Sequence, residues 1–378
     1  MNLKLLFIFG TRPEAIKMAP VIKEFHNNSP FDVKVCVTAQ HRQMLDQVLN
    51  FFNIKPDYDL NLMRPNQSLF DITANSLIAL ERVLELEKPD FIFVQGDTTT
   101  AFVGALAGFY KKIKVAHIEA GLRSGNKYSP FPEEINRVLL GHIADYHFAP
   151  TEKAKENLLN ENIKNNVYVV GNTVIDALHL GLKFIEENEQ LKSKIEKYFT
   201  SELKIENSKL ILVTGHRREN FGRYFENICF ALREIAKNNK DLEIIYPVHL
   251  NPNVRDPVDR ILRGTNNIHL VEPLEYPYLL WLMNKSYLVL TDSGGIQEEA
   301  PSLGKPVLVL REVTERMEGI EAGTAKLIGT DKNKIVNEVE DLLKDIYKYE
   351  KMSKAVNPYG DGNASSRIVD IIKNLTTV

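Results

Sequence analysis

Acidic side chains recur near the ends of apolar runs in the first half of the sequence. Asp97 and Glu119 lie at or just beyond two predicted strands, and Glu133 and Glu134 open a predicted helix. Asp97 could simply cap a helix, and Glu133 and Glu134 could simply complement a helix dipole. If the strands are neighbours, however, the acids share one sheet edge, and their repulsion should raise at least one carboxyl pKa. A carboxyl group with a raised pKa can move protons near neutral pH.

A cationic turn follows the first apolar run of the chain. Arg12 and Lys17 come shortly after Gly10, without the glycine-rich GxGxxG pattern of a dinucleotide site. Pro13 is typical of the first turn of a helix, with Thr11 or Arg12 near its cap. The two cations are therefore either solvated charges on a capped helix or ligands for an anion at the strand end.

The most specific segment is TDSGG in the second half. Ser293, Gly294 and Gly295 predict a tight turn into a helix. Backbone N–H groups and the helix dipole at such a turn favour a diphosphate. Glu298 or Glu299 could accept hydrogen bonds from two ribose hydroxyls, although surface charge is the simpler interpretation of the pair.

Other polar side chains follow strands in the second half. His216 could contact a phosphate, move a proton or be a structural loop histidine, and His249 ends the next predicted strand. Arg311 and Arg316 lie in a loop where either could bind phosphate. With the acids of the first half, these residues predict a divided site for a nucleotide-diphosphate sugar, with the sugar beneath the acids.

Short apolar runs must position these residues, and they alternate with predicted amphipathic helices along the chain, for example at 71–87 and 331–349. The predicted strands are 3–9, 33–39, 91–95, 114–119, 146–150, 166–171, 209–215, 242–248, 267–272, 287–291 and 305–310. Continuous apolar strands are typical of parallel sheets covered on both faces, and the βαβ pattern occurs twice. We therefore predict an α/β fold with two Rossmann-like doubly wound domains facing a cleft. The N-terminal domain spans 1–170, with the helix at 361–378 packing back on it, and the C-terminal domain spans 171–360.

Composition excludes several classes of protein. The chain is 44% hydrophobic and 26% charged, with a net charge of −3 spread along its length. This argues against a nucleic-acid surface or a polybasic membrane patch. The apolar run at the N-terminus is too short for a signal peptide or a membrane span. Cys36 and Cys229 lack neighbours at metal-ligand spacing, so we expect buried thiols, no metal site and a reducing cytoplasm.

These segments together resemble the non-hydrolysing UDP-N-acetylglucosamine 2-epimerases of bacterial type. The match covers essentially the whole chain in order, through FGTRPEAIKMAP, GDTTT, HIEAGLRSG, PEEINR, TGHRREN, TDSGGIQEEAPSLGKP, TER and NPYGDG. The resemblance implies a GT-B-like fold with UDP bound by the C-terminal domain, a homodimer, and no cofactor.

The resemblance also implies a reaction, the reversible epimerisation of UDP-N-acetylglucosamine to UDP-N-acetylmannosamine for surface polysaccharides. UDP is eliminated across C1 and C2 to give a 2-acetamidoglucal, and it then adds back. The catalytic group carried over by position is Asp97, Glu119, Glu133 and His216. The substrate-binding residues are Arg12, Lys17, Ser293, Gly294, Gly295, Glu299 and Arg316. Positions used in an activating site, where a second substrate molecule binds, are Gln40, Gln43, Gln67, Arg217 and His249.

Three other functions remain as alternatives. A hydrolysing epimerase would release UDP and free N-acetylmannosamine, and a GT-B glycosyltransferase would need a groove for an acceptor. A nucleotide-sugar sensor would need no catalysis, against which the acidic group argues. A dehydrogenase is disfavoured because no GxGxxG follows the first strand.

Overall fold

The computed structural model describes residues 3–28, 31–38, 42–62, 64, 67–202 and 209–376. The chain divides into two compact units, one formed by Met1–Leu180 with Tyr359–Val378 and the other by Gly181–Pro358. The division predicted from sequence, at 170/171 and 360/361, stays a prediction about independently folding domains. Among the described helices, none is both long enough and apolar enough to cross a membrane.

The described part of unit 1 contains one parallel sheet of seven strands. The strands are β1 (Leu3–Phe9), β2 (Phe31–Val37), β3 (Tyr58–Asp59), β4 (Phe91–Gln95), β5 (Lys114–Ile118), β6 (Tyr146–Ala149) and β7 (Val167–Val169). Their order across the sheet is β3-β2-β1-β4-β5-β6-β7. The helices are α1 (Arg12–Asn27), α2 (Arg42–Phe51), α3 (Leu69–Glu87), α4 (Thr99–Tyr110), α5 (Glu133–Ile143), α6 (Glu152–Asn160) and α7 (Thr173–Glu187), which crosses into unit 2.

The described part of unit 2 contains a parallel sheet of six strands. They are β8 (Lys209–Thr214), β9 (Leu242–Pro247), β10 (Ile268–Val271), β11 (Leu288–Thr291), β12 (Val307–Val309) and β13 (Ala325–Leu327), in the order β10-β9-β8-β11-β12-β13. The helices are α8 (Glu189–Lys197), α9 (Arg223–Asn238), α10 (Pro252–Leu262), α11 (Tyr276–Lys285), α12 (Gly294–Glu299), α13 (Met317–Glu321), α14 (Lys332–Lys344) and α15 (Ile346–Ser353). The chain then returns to unit 1, where α16 (Ala364–Thr376) lies against α1.

The two sheets confirm the predicted doubly wound α/β architecture. In each sheet the strand order reverses beside the first strand, between β1 and β4 in unit 1 and between β8 and β11 in unit 2. Loops at the carboxyl ends of the strands part on either side of such a reversal, which leaves room for a ligand. Each reversal therefore marks the edge where the functional side chains of that unit should lie.

Aromatic packing fixes the first of these reversals. The rings of Phe7 on β1 and Phe93 on β4 stack with centroids 4.6 Å apart, and Phe25 of α1 meets Phe93 at 5.3 Å. All three side chains are fully buried. Each aromatic pair adds roughly 0.5–1.5 kcal/mol beyond the burial of apolar area. The packing thus holds β1, β4 and α1 together beneath the turns that carry Arg12 and Asp97.

The eleven predicted strands all form, with ends within two residues of the predicted ones. Two strands, β3 and β13, were not predicted, since each has only two or three residues and a partly exposed surface. The amphipathic segment 331–349, predicted as one helix, is instead divided between α14 and α15. Asp345 ends the first helix and caps the second, because its Oδ1 accepts hydrogen bonds from the N–H groups of Tyr347 and Lys348 at 3.0 and 3.1 Å.

Candidate active site

Asp97 and Glu119 lie on the same edge of the unit 1 sheet. Strands β4 and β5 pair in parallel, with Gln95 opposite Ile118. Glu119 directly follows β5, and Asp97 comes two residues after β4. The two strands are therefore neighbours, which the sequence left as a condition, and their pairing brings two of the predicted catalytic acids to one place.

Glu119 is buried and surrounded by donors. Lys17 Nζ lies 2.6 Å from both carboxylate oxygens, Gln95 Nε2 donates to Oε2, and Asn172 Nδ2 lies 3.4 Å from Oε1. Its backbone has a φ of 64°, a left-handed conformation that costs a residue with a side chain roughly 1–2 kcal/mol. Surrounding contacts must stabilise this conformation, and such strain clusters at functional sites. Lys17, predicted to bind substrate, is thus also the counter-ion of Glu119.

Asp97 is held by Arg137, a residue that the sequence analysis missed. The Arg137 Nε atom donates to Asp97 Oδ2 at 2.8 Å, and the guanidinium also contacts Glu134 at 3.0 Å. Burial would lower the Arg137 pKa, but Asp97 and Glu134 outweigh it and raise that pKa. The alternative role of Asp97 as a helix cap is wrong, because Thr98 caps α4 by accepting a hydrogen bond from the Ala101 N–H at 3.0 Å.

The turn that carries Asp97 is fixed by a buried histidine. His117 Nε2 lies 2.8 Å from the carbonyl oxygen of Gly96, whose φ of 70° suits a glycine. Burial lowers the His117 pKa to about 3, so this side chain is neutral and its Nε2–H donates to the carbonyl. The Asn136 amide also donates to the Asp97 carbonyl oxygen at 2.9 Å. Hydrogen bonds from His117 and Asn136 therefore hold the carbonyl groups of both Gly96 and Asp97.

A second missed residue, Glu14, joins the turn after β1 to the turn after β4. Its buried carboxylate accepts hydrogen bonds from the N–H groups of Gly10 and Thr11, at 3.0 and 2.8 Å, and from Thr98 Oγ1 at 2.6 Å. Burial raises the Glu14 pKa, although these donors oppose the shift. Thr11 caps α1 and forms a capping box with Glu14, a spacing that is visible in the sequence. Arg12 is half-buried at the first position of α1, so the capping box beside it sets the position of its backbone.

The acids at the start of α5 have different environments. Glu134 is buried, and its Oε1 accepts hydrogen bonds from the N–H groups of Ser124 and Gly125, both at 2.9 Å. Burial would raise the Glu134 pKa, but these amides and Arg137 outweigh it and lower that pKa. Glu133 is only half-buried at the first position of the helix. Glu134 therefore organises the loop, and Glu133 is the acid of this pair that remains accessible to a substrate.

In unit 2, the turn after β11 carries the predicted diphosphate ligands. The Ser293 N–H donates to Thr291 Oγ1 at 2.9 Å, and a Cβ atom at Gly294 would lie 3.3 Å from Glu315 Oε1 and 3.5 Å from Arg316 Cζ. Helix α12 has only six residues, so its dipole is smaller than the sequence suggested. The N–H groups of Gly294 and Gly295 open this helix, where no intrahelical acceptor is available to them.

The arginines near this turn are paired with acids. Arg316 Nε donates to the buried Glu298 at 2.7 Å, and the Arg316 guanidinium lies 3.2 Å from Glu315. Arg311 contacts Glu315 at 2.8 Å. Although burial opposes them, Arg316 and Arg311 lower the Glu315 pKa. Because Glu298 binds Arg316, the half-buried Glu299 is the better candidate for a ribose.

His216 lies just beyond β8, next to the carboxyl end of β11. Its backbone N–H donates to Asp292 Oδ2 at 2.8 Å, and its ring is nearly parallel to that of His249, with centroids 5.5 Å apart. Burial is the main reason that the His216 pKa is lowered, while Asp292 opposes the shift and Arg217 adds to it. The predicted catalytic histidine thus has an acidic neighbour that the sequence analysis did not single out.

The residues predicted for an activating site are only partly described. Gln40 lies outside the described residues, and the side chain of Gln43 on α2 does too. Gln67 donates from Nε2 to the Leu62 carbonyl oxygen at 2.8 Å, and Arg217 and His249 flank His216. The activating site stays a prediction.

The two cysteines are buried and unpaired, as predicted. Burial raises the pKa of both Cys36 and Cys229 to about 12, so neither thiol is a ready nucleophile. Across the ranges that the structure describes, no group of three or more His, Cys, Asp or Glu side chains is placed to hold a metal ion.

Comparison with known proteins places this arrangement in a family. The family model described as UDP-N-acetylglucosamine 2-epimerase matches residues 23–373. The UDP-N-acetylglucosamine 2-epimerase of Escherichia coli K12 is 56% identical over 373 residues, which is 98% of this chain and 99% of the relative.

Solved structures agree with this match. The UDP-GlcNAc 2-epimerase of Neisseria meningitidis, solved with UDP-GlcNAc, has 53% sequence identity and a TM-score of 0.89, covering 98% of this chain and 100% of that one. The enzyme of Methanocaldococcus jannaschii, solved with UDP-GlcNAc and UDP, has 38% identity and a TM-score of 0.79, with the same coverage. Similarity of this extent, in sequence and in both sheets, shows that the chain belongs to the UDP-N-acetylglucosamine 2-epimerase family.

Proposed function

We propose that this chain catalyses the reversible, non-hydrolysing epimerisation of UDP-N-acetylglucosamine at C2, giving UDP-N-acetylmannosamine for surface polysaccharides. The observation that carries the proposal is the pair of acids, Asp97 and Glu119, on one sheet edge with a separate cation for each. Moving a proton at a sugar carbon needs ionisable groups held in this way. Family membership supports the substrate class.

The first chemical task is the departure of UDP. The C2 proton is weakly acidic, so cleavage of the bond between C1 and the phosphate oxygen runs ahead of proton removal. We assign stabilisation of the departing diphosphate to Ser293, the N–H groups of Gly294 and Gly295, and Arg316, with His216 beside them. Glu299 binds the ribose. In unit 1, Arg12 and Lys17 complete the predicted set of substrate ligands.

The second task is proton transfer at C2 of the resulting oxocarbenium-like sugar. A carboxylate can remove this proton only when it is ionised, and a neighbouring cation favours that state. Asp97 has the Arg137 guanidinium at 2.7 Å, and Glu119 has Lys17 Nζ at 2.6 Å. Inversion at C2 requires that the proton return on the opposite face, so a second acid is needed. Asp97, Glu119 and the accessible Glu133 supply these two functions between them.

The same residues argue against two of the alternatives, the glycosyltransferase and the sensor. A glycosyltransferase of this fold needs no set of acids for protonation at C2, whereas this chain has Asp97 and Glu119 on one edge. A hydrolysing epimerase shares the elimination step but lets water replace UDP. A binding-only sensor gives no reason for the strained backbone of Glu119. Non-hydrolysing epimerisation uses all of these features.

We further propose that the enzyme is a cytoplasmic homodimer that needs no cofactor. Unit 1 presents large apolar side chains on α3 and at the end of α4: Phe70, Ile78, Leu86, Phe109 and Tyr110, each at least 60% exposed. Ile78 and Tyr110 also line an apolar cavity of about 190 Å³ between the two helices. Exposed apolar side chains beside a groove suit a two-fold interface, in which the same surface of each subunit contacts the other. We call these five residues the α3–α4 patch.

The reaction itself can be followed in D2O by NMR. Protonation of C2 by solvent-exchanged acids should put deuterium at C2 of UDP-N-acetylmannosamine, with UDP still attached. Product that lacks deuterium would contradict the elimination route. Free UDP that accumulates in step with N-acetylmannosamine would instead identify a hydrolysing enzyme.

Replacement of one acid tests its chemical role. Asp97→Asn should fold normally and lower kcat by roughly 10²- to 10⁴-fold, because the amide cannot accept the C2 proton. Asp90→Asn is the matched control, since Asp90 lies at the opposite end of β4, where it accepts the Lys4 N–H at 2.8 Å. We expect its kcat to be near the wild-type value. Wild-type turnover in Asp97→Asn would leave Asp97 with only a structural role.

Light scattering coupled to size-exclusion chromatography tests the dimer surface. Ile78→Asp should shift the protein from dimer to monomer, because it places a charge in the centre of the α3–α4 patch. Ile346→Asp is the control, since Ile346 is similarly exposed, at 54% against 60%, but lies on α15 of unit 2. A dimer that survives Ile78→Asp, or dissociates with Ile346→Asp, would place the interface elsewhere.

A further inference from the structure

Asp292 is the second residue of TDSGG, the most specific segment of the sequence, yet no role follows for it from the motif alone. The residue directly follows β11 and is fully buried. Its Oδ2 accepts hydrogen bonds from the N–H groups of His216 and Arg217, at 2.8 and 2.9 Å, and from Asn220 Nδ2 at 3.3 Å. One carboxylate oxygen therefore fixes the backbone turn that carries His216.

The other carboxylate oxygen is not satisfied in this way. Asp292 Oδ1 has no hydrogen-bond partner among the residues that the structure describes. A buried acceptor without a donor costs roughly 1–3 kcal/mol, and more when it is charged. The Nδ1 atom of His216 lies 3.6 Å from this oxygen. A shift of the ring by roughly half an ångström would bring the two atoms within hydrogen-bond distance.

The surroundings of His216 favour this contact. The turn backbone is held by Asp292 itself, and the His249 ring lies nearly parallel to the His216 ring, at an interplanar angle of 19°. The His249 Nδ1 atom accepts the Asn251 N–H at 3.1 Å, so His249 carries its proton on Nε2 when neutral. His249 therefore differs from His216, whose Nδ1 faces an acceptor.

We propose that Asp292 is a positioning residue that determines which ring nitrogen of His216 carries the proton. Its Oδ1 accepts a hydrogen bond from Nδ1–H, which leaves Nε2 as the ring nitrogen that meets the departing diphosphate. When His216 is protonated, Nε2–H donates a hydrogen bond to the β-phosphate while Nδ1–H stays on Asp292. The negative charge of Asp292 stabilises this imidazolium, whereas burial, Arg217 and His249 destabilise it. This role rests on the proposed function of His216.

A purely structural role for Asp292 makes different predictions. In that case the carboxylate only anchors the turn through Oδ2, and the state of the His216 ring is independent of it. The two roles can be separated because Asn at position 292 keeps one oxygen for the backbone N–H groups. Its NH₂ group would then face Nδ1, which must become an acceptor.

The first test is a ¹⁵N NMR measurement of histidine tautomers in the wild-type protein, without substrate. The His216 signals are assigned by their loss in His216→Gln, and His249 is the internal reference for the Nε2–H form. We expect neutral His216 to be mainly the Nδ1–H form in the wild type and the Nε2–H form in Asp292→Asn. If neutral His216 is mainly the Nε2–H form in the wild type, the proposal is wrong, whatever reaction the enzyme catalyses.

The second test is a double-mutant cycle on turnover. Asp292→Asn should lower kcat by roughly 10²-fold with little change in KM, and should have almost no further effect in a His216→Gln background. Asp176→Asn is the matched control, because this buried carboxylate also accepts two backbone N–H groups, from Ala364 and Ser365, but lies in unit 1. We expect its kcat to stay within about twofold of the wild type. An equal loss from Asp292→Asn in both backgrounds would assign Asp292 to the turn alone.

Discussion

A buried carboxylate must find donors, because leaving it unpaired costs several kcal/mol, and this constraint shapes both candidate half-sites. In unit 1, Glu14 holds two turns together and Glu119 takes Lys17 as its partner. In unit 2, Asp292 binds the turn after β8, and Glu298 binds Arg316. Satisfying these acids therefore sets the positions of the neighbouring residues that are left to contact a substrate.

The same constraint separates structural acids from chemical ones. Two pairs of adjacent glutamates show this. Glu134 is buried beside the half-buried Glu133, and Glu298 is buried beside the half-buried Glu299. Glu134 holds the backbone of its loop through the N–H groups of Ser124 and Gly125, whereas Glu298 holds the side chain of Arg316. Preorganisation of this kind lets charge develop on a departing diphosphate without large rearrangement of the surrounding groups. In each pair, the buried glutamate thus maintains the local structure, and the half-buried one is left for the proposed reaction.

Much of this could be predicted from the sequence, because continuous apolar strands and their end residues are local patterns. The strands at 3–9 and 91–95 have the predicted ends, and the adjacency of Asp97 and Glu119 follows from the doubly wound order. The partners of these acids could not be predicted. Arg137 reaches Asp97 across 40 residues, and Asp292 reaches His216 across 76, so only tertiary structure brings them together. The break at Asp345 was missed because apolar periodicity continues through it.

Cleavage of the bond between C1 and the β-phosphate oxygen is the central claim, and positional isotope exchange measures it most directly. The substrate carries ¹⁸O at the bridging position between C1 and the β-phosphorus, and ³¹P NMR follows the label. If UDP leaves and turns within the site before it returns, the label should spread to non-bridging oxygens at a rate comparable to epimerisation. Label that stays in the bridge while C2 inverts would contradict elimination and re-addition of UDP.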